Sequence, residues 1–226
     1  MAPELPLATD AGVAIGPIAA LYADNFLIVL NKPAGLLSVP GRGADKQDCL
    51  STRVQQHYPD ALVVHRLDMA TSGLIVMARG AAMQRALGTA FSERRIHKRY
   101  EAIASGAMAT LPGNWHTITL PIAVDWPKRP LRVVDAAGQA SETRYQVLQI
   151  APDRQTTRVA LEPVTGRTHQ LRVHLQAIGH PIVGDALYAP EAVCMRAPRL
   201  LLHASALVFK HPVTGESLQF TAAPDF

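Results

Sequence analysis

The chain is short of cysteine, of aromatic residues and of charge. Of its 226 residues only two are cysteines, 5% are aromatic and 18% are charged. The charged share lies below the roughly 25% usual for globular proteins, while 48% of the residues are hydrophobic. A disordered chain needs the reverse balance, so general disorder is excluded. Fifteen glycines and 17 prolines show no period, which excludes a collagen-like class. Cys49 and Cys194 stand far apart without metal-ligand spacing. That favours two reduced, buried thiols in a reducing cytoplasm, with one disulfide as the alternative. No apolar run reaches the roughly 18 residues of a membrane helix. Residues 1–17 hold no lysine or arginine, so no secretory leader is expected. Twenty-two basic against 18 acidic residues leave a net charge of +4. That balance permits an anionic partner such as RNA without requiring one.

What is present reads as one large or two small units with ample core. Residues 1–18 are rich in alanine, proline and glycine and are expected to be a flexible lead-in. Short apolar runs, Ala20-Leu21-Tyr22 and Phe26 to Leu30, flank Asp24-Asn25 as strand, turn and strand. The Gly/Pro-rich loop from Asn31 to Gly43 lacks the Gly-Lys-Ser/Thr of a phosphate-cradling loop. Asp48 is placed to cap a helix running to about Tyr58. Gly73 to Arg79 reads as a buried strand, and Ala81 to Arg95 as a helix with Met83, Leu87, Ala90 and Phe91 on one face. Further strands are expected at 99–104, 131–134, 143–150, 157–163, 200–210 and 217–221. A helix is expected from His169 to Ile178, with Leu171, Leu175 and Ile178 on one face and Gly179 as its stop. Many strands with few helices imply an α+β fold around a mostly antiparallel sheet.

Four segments could carry chemistry. In His65-Arg66-Leu67-Asp68-Met69-Ala70-Thr71-Ser72-Gly73-Leu74 an aspartate sits on a polar turn between two apolar runs. Such a loop can hold a catalytic group, or Asp68 and Thr71 can simply close the turn. A kinase catalytic loop is excluded by the missing asparagine, glycine loop and Asp-Phe-Gly, and a serine hydrolase by the missing Gly-x-Ser-x-Gly. In Arg94-Arg95-Ile96-His97-Lys98-Arg99-Tyr100 a basic run meets an aromatic ring, which suits an unstacked RNA base or only a solvated face. In Thr165-Gly166-Arg167-Thr168-His169-Gln170-Leu171-Arg172-Val173-His174 polar residues gather at a helix start. Arg172 adjoins an inward leucine there and, once buried, needs a carboxylate partner. His169 and His174 are five apart and lack a third ligand, so a metal is not expected. The loop Asp125-Trp126-Pro127-Lys128-Arg129-Pro130 suits RNA contact if its tryptophan is exposed, and is ordinary if the ring is tucked in.

In this order the segments resemble the RluA-type pseudouridine synthases. His65-Arg66-Leu67-Asp68 with Thr71-Ser72-Gly73-Leu74 is similar to that family's catalytic motif. Lys98-Arg99-Tyr100 resembles the motif of its active-site tyrosine, and Gly166 to His174 the motif of an arginine that pairs with the aspartate. Asn31-Lys32-Pro33-Ala34-Gly35, Gly179 to Asp185 and Leu202-His203-Ala204 are further landmarks. Three more stretches, Leu37 to Arg42, Asp125 to Pro130 and Ala197 to Ala204, resemble a short, dual-specificity subgroup.

The resemblance implies a pseudouridine-synthase fold, α+β, with a mostly antiparallel mixed sheet flanked by helices and loops. It implies one catalytic domain over 19–226 without the N-terminal S4 domain of many relatives. It implies isomerisation of uridine in tRNA and 23S rRNA stem-loops, at uridine 32 of the tRNA anticodon arm and uridine 746 of 23S rRNA, by a cytoplasmic monomer. No cofactor or metal is expected, because the isomerisation involves no net hydrolysis or redox change. Asp68 is the expected nucleophile, Arg172 its cation, and Tyr100 the ring that stacks on the uracil, with a hydroxyl placed to assist proton removal from the sugar or base. Arg66 is the candidate to fill the space of a flipped base. His65, Thr71, Lys98, Arg99, Trp126, Lys128, Arg129, Arg167 and His169 are candidate RNA contacts. Two other readings remain: a non-catalytic RNA-binding or chaperone protein, for which Asp68 is dispensable, and a nucleoside or glycoside hydrolase, which needs a second carboxylate near Asp68.

Overall fold

The computed structural model describes residues 14–15, 18–109 and 113–226. The chain divides into two compact units, residues 1–96 with 209–218, and residues 97–208 with 219–226. Each is α+β, with antiparallel ladders and few helices.

The first unit contains β1 (Ala14–Ile15), β2 (Ile18–Ala23), β3 (Leu27–Lys32), α1 (Leu50–Gln55), β4 (Ala61–Val63), β5 (Ser72–Arg79) and α2 (Gly80–Ser92). β2, β3 and β5 lie side by side, with β1 beside β2 and β4 on the last residues of β5. The apolar stretches 27–30 of β3 and 74–78 of β5 are buried at every position, which is why they show no alternation in the sequence. The expected turn at Asp24-Asn25 is real: Asp24 Oδ1 accepts the backbone N–H groups of Phe26 and Leu27 at 2.7 and 2.8 Å. Of the expected lead-in, Ala14–Ile15 form a strand and Ile18 is buried at the start of β2. Positions 1–13, 16 and 17 lie outside the described residues.

Two expectations about helices need correction. α1 is short and starts after Cys49, and Asp48 does not cap it. Its carboxylate is instead taken by the Arg53 guanidinium in a two-pronged bond of 2.7 and 2.6 Å. α2 ends at Ser92 rather than at Arg95, because Arg94 turns into the left-handed region at φ 59°. Of its apolar face only Leu87 is fully buried.

The second unit contains β6 (His97–Ser105), β7 (Trp115–Ile118), β8 (Ile122–Val124), β9 (Arg132–Val134), β10 (Thr143–Ile150), β11 (Thr156–Pro163), α3 (Gln170–Ala177) and α4 (Glu191–Cys194). β12 (Leu202–Lys210) and β13 (Ser217–Thr221) follow. The strands run in the order β12, β6, β11, β10, β7, and β8 and β9 form a separate hairpin. α3 ends as expected. Gly179 takes φ 86°, its N–H donates to Gln176 O at 3.0 Å, and the His180 N–H donates to Leu175 O at 2.9 Å. Both cysteines are free; Cys49 is buried, whereas Cys194 is partly exposed.

Candidate active site

In the first unit the candidate nucleophile sits on the loop between β4 and β5, and the peptides on either side of it are clamped. The Ser38 hydroxyl donates to Leu67 O at 2.7 Å and accepts the Leu67 N–H at 3.1 Å. Met69 O accepts from Gly35 N at 2.8 Å and from Lys32 Nζ at 3.2 Å. The Thr71 N–H closes the turn onto Asp68 O at 3.1 Å. These bonds fix the backbone that carries Asp68.

Lys32 is the residue that sequence reasoning passed over as a mere landmark. It is 0% exposed at the end of β3, and its ammonium donates to Pro33 O and Leu36 O at 2.9 and 2.8 Å, besides Met69 O. Burial pushes its pKa down from 10.5 to about 8, and the negative charge of Asp68 works against that fall. No spacing rule reveals a lysine buried at the end of an apolar strand. His65 Nε2 accepts the Val76 N–H at 3.0 Å and its ring packs on Phe91, so it ties the motif to β5. Thr71 is nearly fully buried and Arg66 is exposed.

In the second unit the period of β6 splits the basic run. Lys98 and Tyr100 are half-buried and share one face, while His97 and Arg99 are exposed on the other. Arg99 Nη2 pairs with Glu162 at 2.9 Å, and its guanidinium lies over Trp115. Arg99, a candidate RNA contact, thus lies on the face of β6 opposite Tyr100. Lys98 points instead towards the motif before α3, its Nζ 4.0 Å from where a Gly166 side chain would begin. Burial lowers its pKa.

Arg172 is 4% exposed on α3. Within its unit the carboxylate it engages is Asp185, which is 0% exposed: Nε donates to Oδ2 at 2.8 Å and Nη2 to Oδ1 at 2.6 Å. The preceding Gly184 passes tightly against the backbone at Arg199. A Cβ there would stand 1.8 Å from Arg199 O, and its φ is 77°. α3 itself is anchored by Gln170, which donates to Glu142 O and Thr143 Oγ1, and by His174, whose ring nitrogens bond Thr143 Oγ1 and Leu120 O at 2.9 Å each. Burial holds the His174 imidazole below its ordinary pKa. Arg167 is exposed and bonds Ala140 O. His169 precedes the helix in a left-handed conformation, its Nδ1 2.6 Å from the Tyr188 hydroxyl.

The hairpin of β8 and β9 presents the fourth segment at its tip. Trp126 is 65% exposed rather than tucked in, with the Arg129 guanidinium 4.8 Å from its ring centre, and Lys128 is exposed beside them. Among the described residues no group of three or more His, Cys, Asp or Glu is arranged to hold a metal ion. No described helix is long and apolar enough to cross a membrane.

The family model for RNA pseudouridylate synthase matches residues 26–177, a stretch that contains Asp68, Tyr100 and Arg172. The chain belongs to that family. The synthase is 50% identical over 208 residues to "Dual-specificity RNA pseudouridine synthase RluA" of Escherichia coli K12, covering 91% of this chain and 93% of that one. The protein of the same name from Vibrio cholerae serotype O1 is 49% identical over 196 residues, 86% of this chain and 78% of that one. Among solved structures, human RNA pseudouridylate synthase domain containing 1 superposes with a TM-score of 0.77 at 27% identity, covering 96% of this chain and 87% of that one. Human RNA pseudouridylate synthase domain containing 4 gives 0.70 at 25% identity, over 91% and 88%. The synthase is thus an isomerase that modifies RNA.

Proposed function

We propose that this RNA pseudouridine synthase has dual specificity, as its relatives' name states, and isomerises uridine 32 of tRNA anticodon stem-loops and uridine 746 of 23S rRNA. The target base leaves the stack and enters the site flipped, at a cost of a few kcal/mol. Asp68 is the nucleophilic carboxylate for cleavage of the bond between N1 and C1′. The freed uracil rotates and rejoins C1′ through C5, displacing the Asp68 carboxylate from C1′; C5 loses a proton and N1 gains one, so the atoms balance. Tyr100 stacks on the uracil and Arg172 supplies the cation that an ionised catalytic carboxylate needs away from water. Arg66 fills the space of the flipped base.

The single observation that carries this reading is the clamped loop of Asp68. Ser38 on Leu67, and Lys32 with Gly35 on Met69, fix the peptides either side of the nucleophile. The Lys32 ammonium also brings a positive charge that interacts with the Asp68 carboxylate. Phosphates are held by Lys98, Lys128, Arg129 and Arg167, with Trp126 as a stacking surface. Arg99, His65, Thr71 and His169 act less directly, through the partners described above. The enzyme works as a cytoplasmic monomer.

The test is pseudouridine mapping of tRNA and rRNA from cells lacking this protein, with wild type or Asp68→Asn restored. Both sites should lose the modification, and only wild type should restore it. Purified Asp68→Asn should bind stem-loop RNA with turnover lowered at least about a thousandfold. Restoration by Asp68→Asn would support the non-catalytic reading, and free uracil among the products the hydrolase.

A further inference from the structure

Tyr188 belongs to none of the motifs assigned to the chemistry, yet three residues of the second unit, Arg132, His169 and Arg172, meet on its side chain. Asp185 shapes the turn that carries it: Oδ1 accepts the N–H groups of Leu187 and Tyr188 at 2.9 and 3.2 Å. The same carboxylate holds Nε and Nη2 of Arg172. The Tyr188 ring then lies under that guanidinium, whose carbon is 5.1 Å from the ring centre. Arg172 is therefore gripped along one edge by a carboxylate and across one face by an aromatic ring. The two contacts together fix the plane of the guanidinium.

The other end of the side chain reaches the hairpin. The Tyr188 hydroxyl accepts the backbone N–H of Arg132, the first residue of β9, at 3.0 Å. It lies 2.6 Å from Nδ1 of His169, whose ring also meets it edge-on. His169 sits at φ 57°, a conformation strained for a residue with a side chain, directly before α3. A hydroxyl next to both joins the rung beside the Trp126 loop, where Arg132 pairs with Val124, to the start of the helix that carries Arg172.

We infer that Tyr188 is a positioning residue for the isomerisation, its ring orienting the Arg172 guanidinium and its hydroxyl setting the hairpin that receives the RNA. This rests on the roles proposed above for Arg172 and the hairpin. One side chain then sets both how the RNA is seated and how the arginine is aimed.

The two halves separate by substitution. Tyr188→Phe keeps the ring and deletes the hydroxyl, so KM for a tRNA anticodon stem-loop should rise about five- to tenfold with kcat within about twofold. Tyr188→Leu deletes both, and kcat should also fall, by about tenfold or more. Rates are compared at a temperature where circular dichroism shows each variant fully folded, and Tyr188→Phe stands alone if Tyr188→Leu does not fold. Wild-type kcat and KM in Tyr188→Phe, or identical parameters in the two variants, would overturn the inference. Arg172→Ala keeps the two levels distinct. Wild-type kcat in that variant would sink the reading of Arg172 itself. Loss of kcat there, with wild-type behaviour in both Tyr188 variants, would sink only the role of Tyr188.

Discussion

Arg172 and Asp185, 13 residues apart in the chain, meet in a two-pronged ion pair with side-chain exposures of 5% and 0%. Taking one charge from a buried pair costs about 3–5 kcal/mol, whereas replacing both with apolar residues is often neutral. Asp185→Asn should therefore lower the thermal midpoint clearly, and Arg172→Met with Asp185→Leu should recover most of the loss. The double variant should stay folded by calorimetry and remain inactive on RNA. Recovery of both stability and turnover would remove Arg172 from the chemistry.

Lys32 predicts a pH dependence with a definite sign. Its folded pKa is about 8, below its ordinary 10.5. Between these values the unfolded chain binds the proton and the folded chain does not, so this group makes stability rise with pH across that window. Below about 8 both states are protonated and its contribution is flat at its least favourable level. Lys32→Met should remove this slope from denaturant midpoints measured between pH 8 and 10. It should also slow turnover by releasing Met69 O beside Asp68. An unchanged slope would show that another group titrates there.

Two glycines with similar backbone angles should respond very differently to alanine. Gly184→Ala places a Cβ 1.8 Å from Arg199 O, a backbone atom that cannot step aside. It should abolish folding or shift Asp185 away from Arg172. At Gly179 nothing lies within 4 Å of the added carbon. There the cost is that of a left-handed alanine, about 1–2 kcal/mol. Expression yield and thermal melts compare the two, and equal effects would contradict the close approach.

The face split of β6 separates two neighbouring cations. Lys98→Ala should weaken binding of a stem-loop RNA, and losing a phosphate contact reduces the salt slope by about 0.7–0.9. Arg99→Ala, whose guanidinium is occupied with Glu162 and Trp115, should change affinity little. Lys128→Ala and Arg129→Ala at the hairpin tip should behave like Lys98→Ala. Affinity titrations at several salt concentrations decide this, and a larger effect at Arg99 would reverse the assignment.

Much of this was legible beforehand where a local rule applies. The apolar runs of β3 and β5, the stop of α3 at Gly179 and the strand boundaries of β10 and β13 follow from side-chain period and turn chemistry. Family membership followed from motif order. Local rules misjudged Asp48, whose carboxylate had a stronger partner in Arg53 than the helix end offered. They also let the helix of α2 run on to Arg95, because nothing in an arginine announces a positive φ.

By itself the sequence placed the groups proposed for the chemistry: an aspartate on a turn, a tyrosine on a basic strand, an arginine on a short helix. Only the tertiary structure decided what stands behind them. The burial of Lys32, the joining of Arg172 to Asp185 and the placement of Tyr188 depend on contacts between residues distant in the chain. Such contacts are chosen by packing and desolvation, which act across space and leave no period in the sequence.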